Sequence, residues 1–359
     1  MQRITVTILV VFAFLFAACG VAPAPAPQIQ SANDSVDLSG IKDFLLSQSQ
    51  ELTTAASDLQ AAADRYYALA EAAGFDYVAL WSSRSDAVIS ELEAARAAWM
   101  AASPAYEKME GIVAGTPSLA QFDVDLDAGA AAADDPEGAV SFDITLPDGR
   151  VLAQPGNLFG VIESTLWGTE PDYDAGVAAD WNADGTVAFG ENLPDANVLK
   201  GSADLLAAMA RDLEAAGQAW TPSESDAFTA LVVMVPTMNE YFGSWRDSRF
   251  VLGDASTQRD FAVISRLADI VDILSGLELV YAQVRPRAER VDADQAAQIA
   301  TDLSALKAFV ADVYAQEQGG KRFTPEEADT LGAEAQNRAT AITGQIIQVA
   351  GALGVTIVE

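Results

Sequence analysis

The sequence predicts an all-α protein of two packed helical-bundle halves, with a small β-hairpin and irregular loops inserted near 118–194. Three observations carry that expectation. Apolar residues recur at helical spacing through most of the chain from about Ser35 onward, helix-start signals precede two long runs, and only the middle of the chain loses the period. The first helix is expected over 36–74. The next run, Val88, Leu92, Ala95, Trp99, Tyr106, Met109 and Val113, steps by threes, fours and sevens and so lines one helix face. Pro104 falls inside it, removes a backbone donor, and should kink or break the helix near 101–103. In the middle, Phe142, Ile144 and Leu146 alternate ahead of Pro147-Asp148-Gly149 and Val151-Leu152, and Asp-Gly supplies the positive φ of a tight hairpin turn. The Gly- and Asp-rich stretches around it keep apolar anchors, which favours function over disorder. Further helices are expected over 195–217, 222–243, 257–285, 291–317 and 325–353. Thr221-Pro222-Ser223-Glu224 and Thr324-Pro325-Glu326-Glu327 each offer a Thr cap, Pro at the first helical position and a capping-box Glu. Long helices with short joints pack as antiparallel neighbours, giving an N-terminal half over 35–220 and a C-terminal half over 221–359.

The front of the chain reads as an address. Met-Gln-Arg is followed by an apolar run from Ile4 to Ala18, short for a membrane span and typical of a secretory signal over 1–18. Its end, Leu15-Phe16-Ala17-Ala18-Cys19-Gly20, resembles a bacterial lipobox, with Phe16 where Leu is usual and Cys19 as the lipid carrier. Cys19 is the only cysteine, so no disulfide can form within the chain. The Pro- and Ala-rich 19–34 stretch should act as a semi-stiff tether, placing the body outside the cytoplasmic membrane, lipid-anchored to the cell envelope.

Composition removes whole classes of chemistry. The 359 residues carry 52 Asp plus Glu, 20 Lys plus Arg and no histidine, a net charge of −32, while half the residues are apolar and can build a core. Without histidine there is no Ser-His-Asp or Cys-His catalysis and no imidazole metal ligand. The acidic surplus excludes a nucleic-acid partner, which would need clustered Lys and Arg. What remains is chemistry of carboxylates, amides, hydroxyls and arginine.

One group of acids stands out. Ala105-Tyr106-Glu107-Lys108-Met109-Glu110 precedes Phe122-Asp123-Val124-Asp125-Leu126-Asp127, and Asn157-Leu158-Phe159-Gly160-Val161-Ile162-Glu163 then runs into Leu166-Trp167-Gly168. Glu107 and Glu110, three apart on a helix, can face one point. In this order the segments resemble the imelysin-like family, which includes imelysins and the EfeO- and EfeM-type iron-uptake lipoproteins and is nominally grouped with the M75 peptidases. The likeness continues through Val198-Leu199-Lys200 to Trp220, and from Arg259-Asp260-Phe261 to Tyr281. The family carries a Gly-x-His-x-x-Glu segment, whose His falls here on Gly160 and whose Gly falls on Leu158. Carried over residue by residue, the resemblance implies a metal set of Glu107, Glu110, Asp127 and Glu163. An all-oxygen set suits a hard cation, Ca²⁺, Mg²⁺, Mn²⁺ or Fe³⁺, rather than Zn²⁺ or Cu²⁺. The same acids paired with arginine, or solvated, would instead be a decayed site.

A second acidic segment reads independently of that resemblance. Asp180 to Glu191 fits a twelve-residue calcium loop, with Asp180, Asn182 and Asp184 at positions one, three and five, Gly185 at the turn, the Thr186 carbonyl next and Glu191 closing. Ala188 gives no ligand at position nine, and Leu193-Pro194 follows too soon for the usual exit helix. A loop held by its own Asx turns is the alternative.

The expected function is a lipid-anchored, extracytoplasmic cation-binding protein serving iron or other cation uptake, with the membrane, a membrane iron permease or another envelope protein as partner. The alternative is a non-catalytic ligand-binding or scaffold lipoprotein with a degenerate metal site and a structural Ca²⁺ at 180–191. A peptidase is not expected, because no His-Glu-x-x-His occurs and Ser164 has no visible activator.

Overall fold

The computed structural model describes residues 36–358, so the expected signal peptide, the tether and Cys19 lie outside the described residues. Helices dominate. The first, α1 (Ser39–Ala72), turns back through Gly74 and Phe75 into α2 (Tyr77–Val113), capped by the Asp76 side chain. Pro104 does not break α2; the non-helical backbone sits instead at Arg84, with φ −142° and ψ 22°. The carbonyl that Pro104 leaves unbonded belongs to Met100, an exposed residue that water can satisfy, so the helix runs on.

The middle segment follows. A short α3 (Ala120–Asp123) runs into a single π-helical turn over Val124–Ala128. The expected hairpin forms from β1 (Ile144–Thr145) and β2 (Val151–Leu152), with Gly149 at φ +88° in its turn. Asn157 caps α4 (Leu158–Trp167), which stops at Gly168 in the left-handed conformation. A second small antiparallel sheet, β3 (Asp174–Ala178) with β4 (Asn192–Pro194), brackets the Asp-rich loop. The sequence did not announce this pair, since β3 reads Asp-Ala-Gly-Val-Ala and has no alternation.

The remaining helices are α5 (Ala196–Ala219), α6 (Glu224–Met234), α7 (Met238–Asp247), α8 (Arg249–Leu252), α9 (Arg266–Val291), α10 (Ala293–Gln318) and α11 (Pro325–Leu353). The 222–243 run is thus two helices, separated by a 3₁₀ turn at Pro236, which lacks the donor needed to continue. Its start is also shifted: Ser223, not Thr221, is the cap, and Asp226 completes the box. The Thr324 box forms as expected, with Pro325 first and Glu327 closing. Residues 257–265 are not helical, contrary to the periodicity reading; the amides of 261–263 bond the Glu163 carboxylate, and Ser265 caps α9.

Helix α1 packs against α2 and α5, while α9 packs against α10, and α7 and α10 against α11. The seam between α2 and α9 is unusually close. A β-carbon on Gly276 would lie 2.3 Å from the Lys108 carbonyl oxygen, so only glycine permits the contact. That approach sets Glu107 and Glu110 of α2 against the N-terminal turn of α9. Among the described residues no helix is long and apolar enough to cross a membrane.

Candidate metal centre

Three elements deliver the acids. Helix α2 supplies Glu107 and Glu110, each only 2% exposed, and the π-helical turn supplies Asp127. A π-turn inserts one residue into the helical register, and here it aims Asp127 inward. One oxygen from each of Glu107, Glu110 and Asp127 lies within 4.8 Å of the others. Oxygens on opposite sides of one Ca²⁺-sized ion would be about 5 Å apart, so the group is compact enough to share a cation.

Glu163 is placed differently from the expectation. It is buried in an inner crevice beside Glu107 and Asp127, but both its oxygens are already engaged. Phe261 N–H donates to Oε2 at 2.8 Å, while Ala262 and Val263 N–H donate to Oε1 at 2.8 and 3.0 Å. Three backbone donors on one carboxylate make Glu163 the clasp of the loop before α9. These three amides, spent on Glu163, are withheld from helical bonds ahead of α9. Phe261 within that loop has φ +52°, a costly value for an aromatic residue and a mark of enforced geometry.

Arg266, at the start of α9, lies among the acids. Its Nη1 reaches Glu107 Oε2 and Asp269 Oδ2, and its Nη2 reaches Asp127 Oδ2, each at 3.3 Å. The guanidinium carbon also stands 4.5 Å from the Tyr241 ring and 4.4 Å from the Phe261 ring. Tyr241 donates its hydroxyl to Glu110 Oε1 at 2.6 Å, and Tyr106 donates to Asp123 Oδ1 at 2.7 Å.

Positive charge is scarce here. Five buried acids, Glu107, Glu110, Asp123, Asp127 and Asp269, share one buried cation, Arg266. Burial, then repulsion from Asp269, Asp127 and Glu110, pushes Glu107 well up, and burial with Glu110 and Asp127 does the same to Asp123. Asp127 is raised to about 6 and Asp269 to about 7, burial outweighing Arg266 in both. Glu163 is raised to about 8 by burial and then by Asp260, against the pull of its three amide donors. Glu110 Oε2 is buried with no hydrogen-bond partner, as is Arg266 Nε. A polar atom so left is the exception in folded proteins. A cavity of about 570 Å³ opens onto Glu110, Asp127 and Arg266, so the group has access from outside.

The donor set therefore fits a hard cation: oxygens alone, a carboxylate oxygen to spare, and acids that burial drives toward holding protons a cation would displace. The sequence brought three of these residues to notice, quoted Asp123 only within a resemblance, and missed Tyr241, Arg266 and Asp269. Asp260 entered it only as part of a resemblance. The signal for Arg266 and Asp269 was present. They share the helical phase of Ile270 and Ile273, so charged residues stood on the buried face of a helix.

The Asp180–Glu191 loop is arranged otherwise. Asp180 accepts from the amides of Asp184 and Gly185, Asn182 from Asp184, Asp184 from Thr186, and Glu191 from Ala188. Asn182, Asp184 and Thr186 are exposed, and Asp180, Asp184 and Glu191 do not gather as Glu107, Glu110 and Asp127 do. The loop is held by its own side chains, the Asx-turn arrangement.

Comparison with known proteins bears on the whole body. No curated protein matches the sequence. A solved structure described as an iron-regulated protein A precursor, from Parabacteroides distasonis ATCC 8503, aligns over 90% of this chain and 96% of that one, at 14% identity and a TM-score of 0.48. The family model described as Imelysin, Peptidase_M75, matches residues 45–346, a span that contains α2, the π-turn, α4 and α9 together with every acid of the centre. The chain belongs to the imelysin family.

Proposed function

We propose that this chain is a lipid-anchored, extracytoplasmic imelysin that binds a hard metal cation at Glu107, Glu110 and Asp127, in iron or other cation uptake, and breaks no bond. One observation carries the reading: five buried acids face a single guanidinium, and Glu110 keeps a buried oxygen without a partner. A bound cation would supply the positive charge that the burial of these acids leaves wanting. Glu107, Glu110 and Asp127 would hold it, with Arg266 relaxing from Glu107 and Asp127. Tyr241 orients Glu110 through its hydroxyl, and Tyr106 does so for Asp123. Glu163 acts one step back, fixing the loop that closes the crevice. The absence of histidine from the whole chain supports a non-catalytic role. Cys19 would tether the body to the membrane, and a permease or other envelope protein would receive the cation.

A second reading rests on Arg266, which already pairs with Glu107 and Asp127. In it the centre has become an internal ion-pair cluster, and Ca²⁺ at Asp180–Glu191 braces a scaffold. Calorimetric titration with Mn²⁺, Ca²⁺ and chelator-buffered Fe³⁺ separates the two. Under the proposal, Glu110→Gln loses the tight site while Asp184→Ala keeps it. Binding of Ca²⁺ alone, lost only in Asp184→Ala, would establish the second reading instead.

A further inference from the structure

The acids facing the cavity do not all come from α2 and the π-turn. Asp260 reaches it from the loop before α9, lining both the open cavity, with Glu110 and Asp127, and the inner crevice, with Glu107 and Glu163. Its backbone is clamped on either side. Thr169 Oγ1 donates to the Arg259 carbonyl, the Arg259 guanidinium donates to Pro155 O at 3.0 Å, and Phe261 N–H donates to Glu163. Its side chain, by contrast, makes no hydrogen bond or ion pair with any described residue.

The space Asp260 occupies is cleared by another residue. A β-carbon on Gly160 would fall 3.0 Å from Asp260 Oδ2 and 3.3 Å from Asp260 Cβ, so any side chain at 160 would press on the carboxylate. A rigid backbone thus holds an unpartnered carboxylate in a place emptied for it, close enough to act on the charges of Asp127 and Glu163. The independent sign of a ligand is Glu110, only 2% exposed, which lines the same cavity and keeps a buried Oε2 without a partner.

We propose that Asp260, whose carboxylate lies outside the 4.8 Å group of Glu107, Glu110 and Asp127 but lines the same cavity, turns in as a further oxygen ligand when a cation enters, and that it sets the centre's preference for hard, highly charged ions. The inference rests on Glu107, Glu110 and Asp127 forming that centre. A fourth carboxylate favours ions that accept many oxygens, such as Ca²⁺, Mn²⁺, Fe³⁺ and the lanthanides, over Zn²⁺ and Cu²⁺, which favour nitrogen and sulfur.

The test uses the full-length protein with Tb³⁺, whose emission Trp99 in the crevice wall can sensitise, and calorimetry with Mn²⁺ and Zn²⁺. Asp260→Asn should weaken Tb³⁺ and Mn²⁺ binding by about tenfold or more while leaving the cation-free melting temperature in place. Asp260→His should shift the Zn²⁺/Mn²⁺ preference toward Zn²⁺. Gly160→Ala, which keeps every carboxylate but crowds Asp260 and, equally, the Asn157 cap of α4, should weaken Tb³⁺ in the same sense. Wild-type affinity in Asp260→Asn and Gly160→Ala, with binding lost in Glu110→Gln, overturns this inference and leaves the proposed function standing. A wild-type protein that binds none of these ions overturns both.

Discussion

A guanidinium buried among five carboxylates stabilises only some of them. Arg266 meets Glu107, Asp127 and Asp269 at 3.3 Å, long for charge-assisted bonds, because it is shared three ways. Its removal would leave those acids without any buried counter-charge. Arg266→Met should therefore cost about 3–5 kcal/mol in cation-free buffer, and added Mn²⁺ should restore part of it, as read from denaturant midpoints. The pH dependence has a definite sign. Asp127 at about 6, Asp269 at about 7 and Glu163 at about 8 lie above the values of the unfolded chain, so the folded protein holds more protons across that interval. Stability is then greatest on the acid side and falls as pH rises from about 4.5 to about 8. Unfolding at pH 5 and pH 8 with a chelator should show the fall, and saturating Mn²⁺ should flatten it. At this scale the i, i+3 spacing of Glu107 and Glu110 was legible in the sequence. The use of Glu163 was not, because its partners are backbone amides that no residue type reveals.

Helices were legible where period and cap agreed. The Thr324 box opens α11 as its residues imply, each side chain satisfying an amide that the first helical turn leaves free. Thr324→Ala should lower stability by about 1 kcal/mol, measurable by thermal unfolding, without altering cation binding. Legibility failed where a tertiary contact outbid the local pattern. The apolar period of 257–285 continues through Phe261 and Ile264, yet Glu163 of α4 takes the amides of 261–263 and the helix begins only at Arg266. The Asp180–Glu191 loop shows a different limit. Its spacing is that of a calcium loop, but the same side chains can bond their own backbone, and the sequence does not rank the two outcomes.

At the scale of the molecule, the all-α architecture followed from periodicity, since long amphipathic helices have few ways to hide their apolar faces except against each other. Which helices distant in sequence meet was not legible. The centre exists because α2 and α9 cross closely, and that contact joins residues more than a hundred and fifty positions apart, as in Arg266 and Glu107. The crossing itself depends on Gly276, set against the Lys108 carbonyl between the two glutamates of α2. A single methyl group there would act as a shim, prying the helices apart and widening the jaws of the centre without touching any acid. In the proposed function, tolerance for the ion would thus be machined into a residue that never sees it, and drift at that joint would retune or silence the protein while its acid side chains stayed intact.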